Sequence, residues 1–122
     1  MVHKGLISML GQYPDIKIVA EAADGVSALR MTRKLTPDVI LMDVGMPVMD
    51  GMEATRIISS EFPNIRIIGL SMYVEKEQAA AMIAAGASAY FTKDGDTDRL
   101  ISAIREKGKN RQMKMWRMSF IT

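Results

Sequence analysis

The stretch that decides the fold is residues 37–51, which read PDVILMDVGMPVMDG. Four apolar residues, from Val39 to Met42, run without interruption and stop at Asp43. A short apolar run of this kind is typical of a strand buried on both faces, as in a parallel sheet covered by helices. Asp43 would then stand at the carboxyl end of a strand, where open α/β sheets gather their functional residues.

Outward from this strand, helical patterns alternate with short apolar runs, which predicts an α/β fold with a parallel sheet. Helices are expected near residues 2–10, 24–35, 50–62, 75–85 and 97–105, and strands near 16–20, 38–42, 65–70 and 87–92. Asp24, Asp50 and Thr97 are the expected N-caps, and Gly86 the expected glycine just past a helix end. The order begins with a helix, so that helix has no strand in front of it.

Helical spacing predicts which residues of each helix face the core. They are Val26 and Leu29 in the second helix, Met52, Thr55 and Ile58 in the third, and Leu100, Ile101 and Ile104 in the last. Arg30, Arg33 and Lys34 of the second helix would then point to solvent.

The composition is that of a soluble domain. The chain has 122 residues, of which 48% are hydrophobic and 25% charged, and it contains no cysteine. This length predicts one domain, and no apolar run approaches the ~18 residues of a membrane span. Without cysteine there is no disulfide or thiolate metal site, and no signal-peptide pattern is present, so a cytoplasmic protein without a membrane partner is expected.

Charge is distributed unevenly along the chain. Residues 107–122 contain five basic residues and no acidic one, which leaves eleven basic against fourteen acidic residues in 1–106. We therefore interpret 1–106 as the domain and 107–122 as a basic, Met-rich tail or linker. Five charges without regular spacing are more typical of such a segment than of a nucleic-acid surface.

Three predicted strands end in polar residues: Asp43, Ser71 and Lys93. The carboxyl ends of parallel strands share one edge of a sheet, so these side chains are expected to lie near one another. A carboxylate at the end of a buried strand needs compensation, which the Lys93 ammonium can supply. The Ser71 hydroxyl can donate a hydrogen bond to an oxygen placed on Asp43. This combination suits a transient acyl phosphate, for which positioning and charge neutralisation do most of the catalysis.

Three segments resemble a known family, the bacterial response-regulator receiver domains. They are residues 41–51 (LMDVGMPVMDG), 69–72 (GLSM) and 86–94 (GASAYFTKD), in the family's order and spacing. The second and third are similar to the NarL/FixJ subfamily, whose members usually carry a C-terminal helix-turn-helix. The resemblance covers about residues 2–105 and implies a flavodoxin-like, doubly wound parallel sheet that works in a two-component phosphorelay.

The resemblance also implies a role for each site residue. Asp43 would accept phosphate from a sensor histidine kinase, and Asp43 and the backbone carbonyl of Gly45 would bind Mg²⁺. Ser71 would follow the phosphoryl group, Tyr90 would swing inward, and Lys93 would pair with a phosphate oxygen. The signalling surface would be the strand at Tyr90 with the helices near 75–85 and 97–105. The resemblance also implies a homodimer. DNA would be reached only through an output domain absent from this chain.

The sequence departs from the family at its beginning. Receivers start with a strand that ends in two acidic residues holding Mg²⁺, and we expect this strand and both acids to be missing here. Mg²⁺ takes close to six oxygen ligands, so Asp43 and one carbonyl predict a weak or lost metal site and impaired phosphorylation. In the family's strand order 2-1-3-4-5 the missing strand is central, and its absence would leave two unpaired edges. Residues 113–122 are either an unstructured end or a strand that fills this position, in the same subunit or a neighbour.

Other functions fit parts of the pattern. An enzyme with an aspartate nucleophile usually carries a second aspartate two residues later, where this chain has Gly45, so we expect no enzyme. A nucleotide-binding domain would show a Gly-rich loop after a strand, and none is present. A phosphorylation-independent pseudo-receiver, which acts as a dimerisation or protein-interaction module, stays open beside the phosphorelay receiver.

Overall fold

A five-stranded parallel sheet with helices on both faces forms the protein. The computed structural model describes residues 8–22, 25–43, 48–71, 76–92, 97–105 and 116–121. The strands are β1 (Ile16–Ala22), β2 (Val39–Asp43), β3 (Arg66–Ser71), β4 (Ala89–Thr92) and β5 (Trp116–Ile121), and the helices are α1 (Gly25–Leu35), α2 (Val48–Glu61), α3 (Lys76–Ala85) and α4 (Thr97–Arg105). A helical turn over residues 8–10 precedes β1. The predicted doubly wound α/β class is confirmed.

One interior strand of the sheet comes from the C-terminal segment. The strand order is β1-β5-β2-β3-β4, with parallel pairing throughout. Strand β5 pairs with β1 from Trp116 to Ile121, and with β2 from Met118 to Ile121. Residues 116–121 of the tail therefore form a strand, which is one of the predicted alternatives, and this strand belongs to the chain's own sheet. The predicted division at residue 106 stays a prediction, because strand pairing does not define a domain boundary.

Successive residues of β2 face two separate cores, as the two-residue period of a strand requires. Val39 and Leu41 face one core, Ile40 and Met42 face the other, and all four are fully buried. The first core is completed by Leu10, Ile16, Ile68, Leu70, Leu100, Ile101 and Ile104. The second is completed by Ala22, Ala28, Ala54, Ile58, Ile67, Met82 and Ala87. The prediction that β2 is buried on both faces is confirmed, as are the inward positions in α4.

Helix α1 is rotated relative to its predicted orientation. Val26 is 68% exposed, so its predicted inward position is wrong, while Ala28 and Thr32 are buried. Thr32 can be buried because its Oγ1 donates a 2.7 Å hydrogen bond to the Ala28 carbonyl oxygen. A hydroxyl satisfied within its own helix costs little to bury, and hydrophobicity alone does not reveal this. Leu29 is half-buried.

Helix α2 begins earlier than predicted. It starts at Val48, so Asp50 lies within the helix and its predicted role as the N-cap is wrong. In the sequence Pro47 comes directly before Val48, and proline favours the start of a helix because its fixed φ suits the first turn. The inward positions of Thr55 and Ile58 are confirmed, since both are fully buried.

An ion pair joins the end of α4 to the start of β1. The Nε and Nη2 atoms of Arg105 donate hydrogen bonds of 2.7 and 2.8 Å to the two carboxylate oxygens of Asp15. These bonds lower the pKa of Asp15 below its usual range, although slight burial acts in the opposite direction. Asp15 directly precedes Ile16, which pairs with Trp116, so α4 ends close to the point where β5 enters the sheet.

No helix in the described part of the chain is long and apolar enough to cross a membrane.

Candidate functional site

The carboxyl ends of β2, β3 and β4 are neighbours in the sheet. Asp43 is the last residue of β2 and lies opposite Leu70, and Ser71 follows Leu70 as the last residue of β3. Ser71 in turn lies opposite Thr92, the last residue of β4, and Lys93 is next in the sequence. Strand β3 therefore lies between the strand that ends in Asp43 and the strand that precedes Lys93, as the sequence predicted.

Part of the predicted site lies outside the described residues. This holds for Gly45 and Lys93, and for the side chains of Asp43 and Ser71. The structure brings the strands of three predicted site residues together, and the roles of their side chains stay predictions.

Tyr90 is the predicted site residue whose side chain the structure describes. It is the second residue of β4, it lies opposite Gly69 of β3, and it is half-buried against the second core. The ring covers the position that a side chain of Gly69 would occupy: a Cβ placed on Gly69 would lie 2.7 Å from Cδ1 of Tyr90. Sequence reasoning missed Gly69, although a glycine inside a strand pattern is a signal that another group approaches the backbone closely.

Two exposed features flank β4, which is an edge strand of the sheet. On one side, β4 and α4 enclose a cleft of about 480 Å³ lined by Phe91, Asp98, Arg99, Ser102 and Ala103. On the other side, α3 exposes a face without charge after its first turn. This face consists of Ala80, Ala81, Ile83 and Ala84, and Ile83 is 49% exposed. An exposed helix face without charge can be covered by a protein partner at little desolvation cost.

The sequence matches the family model of the response regulator receiver domain over residues 1–105. The chain belongs to this family. One relative, the transcriptional regulatory protein LiaR of Bacillus subtilis (strain 168), is 39% identical over 109 residues, which are 89% of this chain and 52% of LiaR. Another, the transcriptional regulatory protein DegU of Brevibacillus brevis, is 34% identical over 105 residues, 86% of this chain and 44% of DegU. The receiver therefore spans about half the length of these relatives.

Solved structures give the same family. A two-component response regulator of the LuxR family from Aurantimonas sp. SI85-9A1 has a TM-score of 0.77 and 38% identity, over 84% of this chain and 74% of that one. The signal receiver domain of the putative response regulator NarL from Mycobacterium tuberculosis has a TM-score of 0.75 and 27% identity, over 84% and 83%. The predicted NarL/FixJ-like receiver and its flavodoxin-like fold are confirmed.

Receiver domains generally bind Mg²⁺, and the part of this receiver that the structure describes offers the ion few oxygen ligands. Strand β5 extends to the edge of the sheet at which Asp43 lies. Its Ile121 pairs with Ala22 on one side and with Met42 on the other, and Met42 directly precedes Asp43. Its sequence, WRMSFI, contains no carboxylate. Within the described ranges, no group of three His, Cys, Asp or Glu residues is placed to hold a metal ion. Asp43 and one carbonyl would supply two of the roughly six oxygen ligands that Mg²⁺ takes.

Proposed function

We propose that this chain is the receiver module of a two-component phosphorelay, with Asp43 as its phosphoacceptor and with impaired phosphorylation. The observation that carries the proposal is the position of β5. Strand β5, which contains no carboxylate, lies next to β2 at the edge where Asp43 stands, and so it supplies no acidic ligand for a metal ion. Without a cation, the charge that develops on a transferring phosphoryl group would be poorly neutralised at Asp43.

The proposed chemistry needs three side chains. The Asp43 carboxylate attacks a phosphorus atom, and the bond between phosphorus and its donor, a kinase histidine nitrogen, breaks as the acyl phosphate forms. The Ser71 hydroxyl donates a hydrogen bond to a phosphoryl oxygen, and the Lys93 ammonium neutralises another. The strand order supports this assignment, because Asp43 and Ser71 end adjacent strands and Lys93 follows the next one. The phosphoryl group stays on the protein as a signal, so the module is not an enzyme.

The proposed output surface consists of α3, β4 and α4. Its uncharged face around Ile83 and its cleft beside Phe91 both suit a protein partner. The partners we propose are a sensor histidine kinase and a second copy of the chain, in the cytoplasm and away from membranes. By analogy with the transcriptional regulators it resembles, the receiver would act upstream of transcription, with DNA bound only by an output domain absent from residues 1–122.

A second candidate is a pseudo-receiver that acts as a dimerisation or interaction module without phosphorylation. The close approach of the Tyr90 ring to Gly69 favours it, because the glycine that admits the ring is present whether or not Asp43 is phosphorylated. In this alternative the α3–β4–α4 surface binds partners constitutively, and Asp43 is a remnant of the family's chemistry.

Phosphorylation by a small-molecule donor tests the proposal. The chain is incubated with acetyl phosphate, with and without Mg²⁺, and the covalent phosphoryl group is followed by intact-protein mass spectrometry. We expect slow labelling that Mg²⁺ does not accelerate, because the described donor set does not fit the ion. Asp43→Asn is the matched control, since it keeps the size of the side chain and removes the nucleophile.

Each outcome of this experiment is informative. Slow labelling that disappears in Asp43→Asn supports the impaired phosphoacceptor. Labelling that is equal in both chains, or absent from both, favours the pseudo-receiver. Rapid, Mg²⁺-dependent labelling of Asp43 contradicts the proposed impairment.

A further inference from the structure

Tyr90 and Gly69 are direct neighbours across β3 and β4. If Gly69 carried a Cβ, this atom would lie 2.7 Å from Cδ1 and 3.2 Å from Cε1 of Tyr90. It would also lie 3.2 Å from Cε of Met82, which is fully buried in α3. The missing side chain of Gly69 therefore leaves a space on β3, and the Tyr90 ring and the Met82 methyl group fill it from two sides.

The space is specific to glycine. Two carbon atoms without a bond between them pack at about 3.5–4.0 Å, so a Cβ at 2.7 Å from the ring requires the ring to move. The atom that would collide belongs to the body of an aromatic ring, which has only two rotatable side-chain bonds. Alanine, the smallest substitution, would already displace the ring from β3.

The Tyr90 ring, which packs over Gly69, contacts more than one element of the proposed output surface. Tyr90 belongs to β4, and it packs against the second core, which includes Met82 of α3. Met82 is flanked in the sequence by Ala81 and Ile83, which belong to the exposed face of α3. The position of the ring therefore influences how α3 lies against β4.

We propose that Gly69 is a positioning residue that seats the Tyr90 ring on β3 and thereby fixes the arrangement of α3 and β4, whether or not Asp43 is phosphorylated. The atoms that form the seat belong to β3, β4 and α3, and the missing side chain of Gly69 is a property of the sequence that phosphorylation does not change. The inference rests on the proposed function only where it takes α3, β4 and α4 as the output surface. It adds to that function, because a Tyr90 position that Gly69 fixes would determine the arrangement of the surface before any phosphorylation.

NMR of the full chain tests the seat. We expect nuclear Overhauser contacts from the Tyr90 ring to the Gly69 Hα atoms and to the Met82 methyl group, both in the unmodified chain and in Asp43→Asn. In Gly69→Ala these contacts should disappear, and the amide shifts of α3 and β4 should change. The amide shifts of α1, which packs elsewhere on the sheet, should stay the same. Absence of the contacts in Asp43→Asn, or their persistence in Gly69→Ala, overturns the inference.

A double-mutant comparison separates seating of the ring from a general need for glycine. Gly69→Ala should lower the urea midpoint of the chain, whereas in the Tyr90→Ala background the same substitution should lower it much less, because only the end of the Met82 side chain then has to move. Tyr90→Phe keeps the ring, so Gly69→Ala should lower the midpoint in this background about as much as it does in the unmodified chain. An equal loss with and without the Tyr90 ring overturns the inference. A different result would contradict the proposed function, namely rapid Mg²⁺-dependent labelling of Asp43. That result would leave the contacts of Tyr90 with Gly69 and Met82 unaffected.

Discussion

Ser119→Pro should destabilise the protein by about 3 kcal/mol or more, because Ser119 lies in a strand that is paired on both sides. Its partners are Ala20 in β1 and Ile40 in β2. Proline has no backbone N–H, so one ladder hydrogen bond is lost and a buried carbonyl is left without its donor. The measurement is urea unfolding followed by circular dichroism.

Ser119→Ala is the matched control, because it removes the hydroxyl and keeps the backbone N–H. We expect it to cost less than about 1 kcal/mol, as is usual for a change that breaks no backbone pairing. If the proline and alanine variants unfold at the same urea concentration, residues 116–121 do not form a strand between β1 and β2.

Gly86→Ala should cost about 2–5 kcal/mol, through two separable effects. Gly86 ends α3 with a φ of 121°, a conformation that costs a residue with a Cβ about 1–2 kcal/mol. The added Cβ would also collide with the side chain of Ser59 in α2, and overpacking of this kind costs about 1–3 kcal/mol. Ser59 cannot simply turn away, because its Oγ donates a 2.9 Å hydrogen bond to the Ala85 carbonyl oxygen at the end of α3.

The two effects can be measured apart. In a Ser59→Gly background the collision is absent, so Gly86→Ala should cost only the backbone part, about 1–2 kcal/mol. The comparison needs the free energies of unfolding of four chains: the unmodified one, the two single variants and the double variant. An equal cost of Gly86→Ala in both backgrounds would contradict the close approach of α2 to the end of α3.

The sequence predicted those features of the fold that local chemistry decides. The uninterrupted apolar run of β2 indicated burial on both faces, and Gly86 indicated the end of α3 because glycine adopts a positive φ at low cost. The predicted bounds failed at the start of α2, where two signals competed. Asp50 is a good N-cap by residue type, but the helix begins at Val48, directly after Pro47 in the sequence.

Features that depend on tertiary packing were harder to predict. Val26 is apolar and yet exposed, whereas Thr32 is polar and yet buried, because the hydroxyl is satisfied within its own helix. The place of the tail was left open, since the pattern WRMSFI specifies no partner strand. Strand β5 pairs between β1 and β2, so its position depends on the strand edges that the rest of the sheet leaves open.

The candidate site also combines features that the sequence predicted with one that depends on tertiary packing. The positions of Asp43, Ser71 and Lys93 at strand ends, with the strand order that the family resemblance implies, predicted that their strands are neighbours. The seat of Tyr90 was not predicted, because it depends on the register that places Gly69 opposite the ring. A register of this kind follows from the pairing of whole strands and is not written in either segment alone.

Amide hydrogen exchange of residues 116–121, measured residue by residue by NMR, tests the central claim of this account most directly. If these residues form the strand between β1 and β2, their amides should exchange as slowly as those of Val39–Met42, since both strands open only when the sheet unfolds. Exchange of residues 116–121 at the rate of an unstructured peptide, with β2 still protected, would contradict the position of β5 between β1 and β2 and the proposal for Asp43 that rests on it.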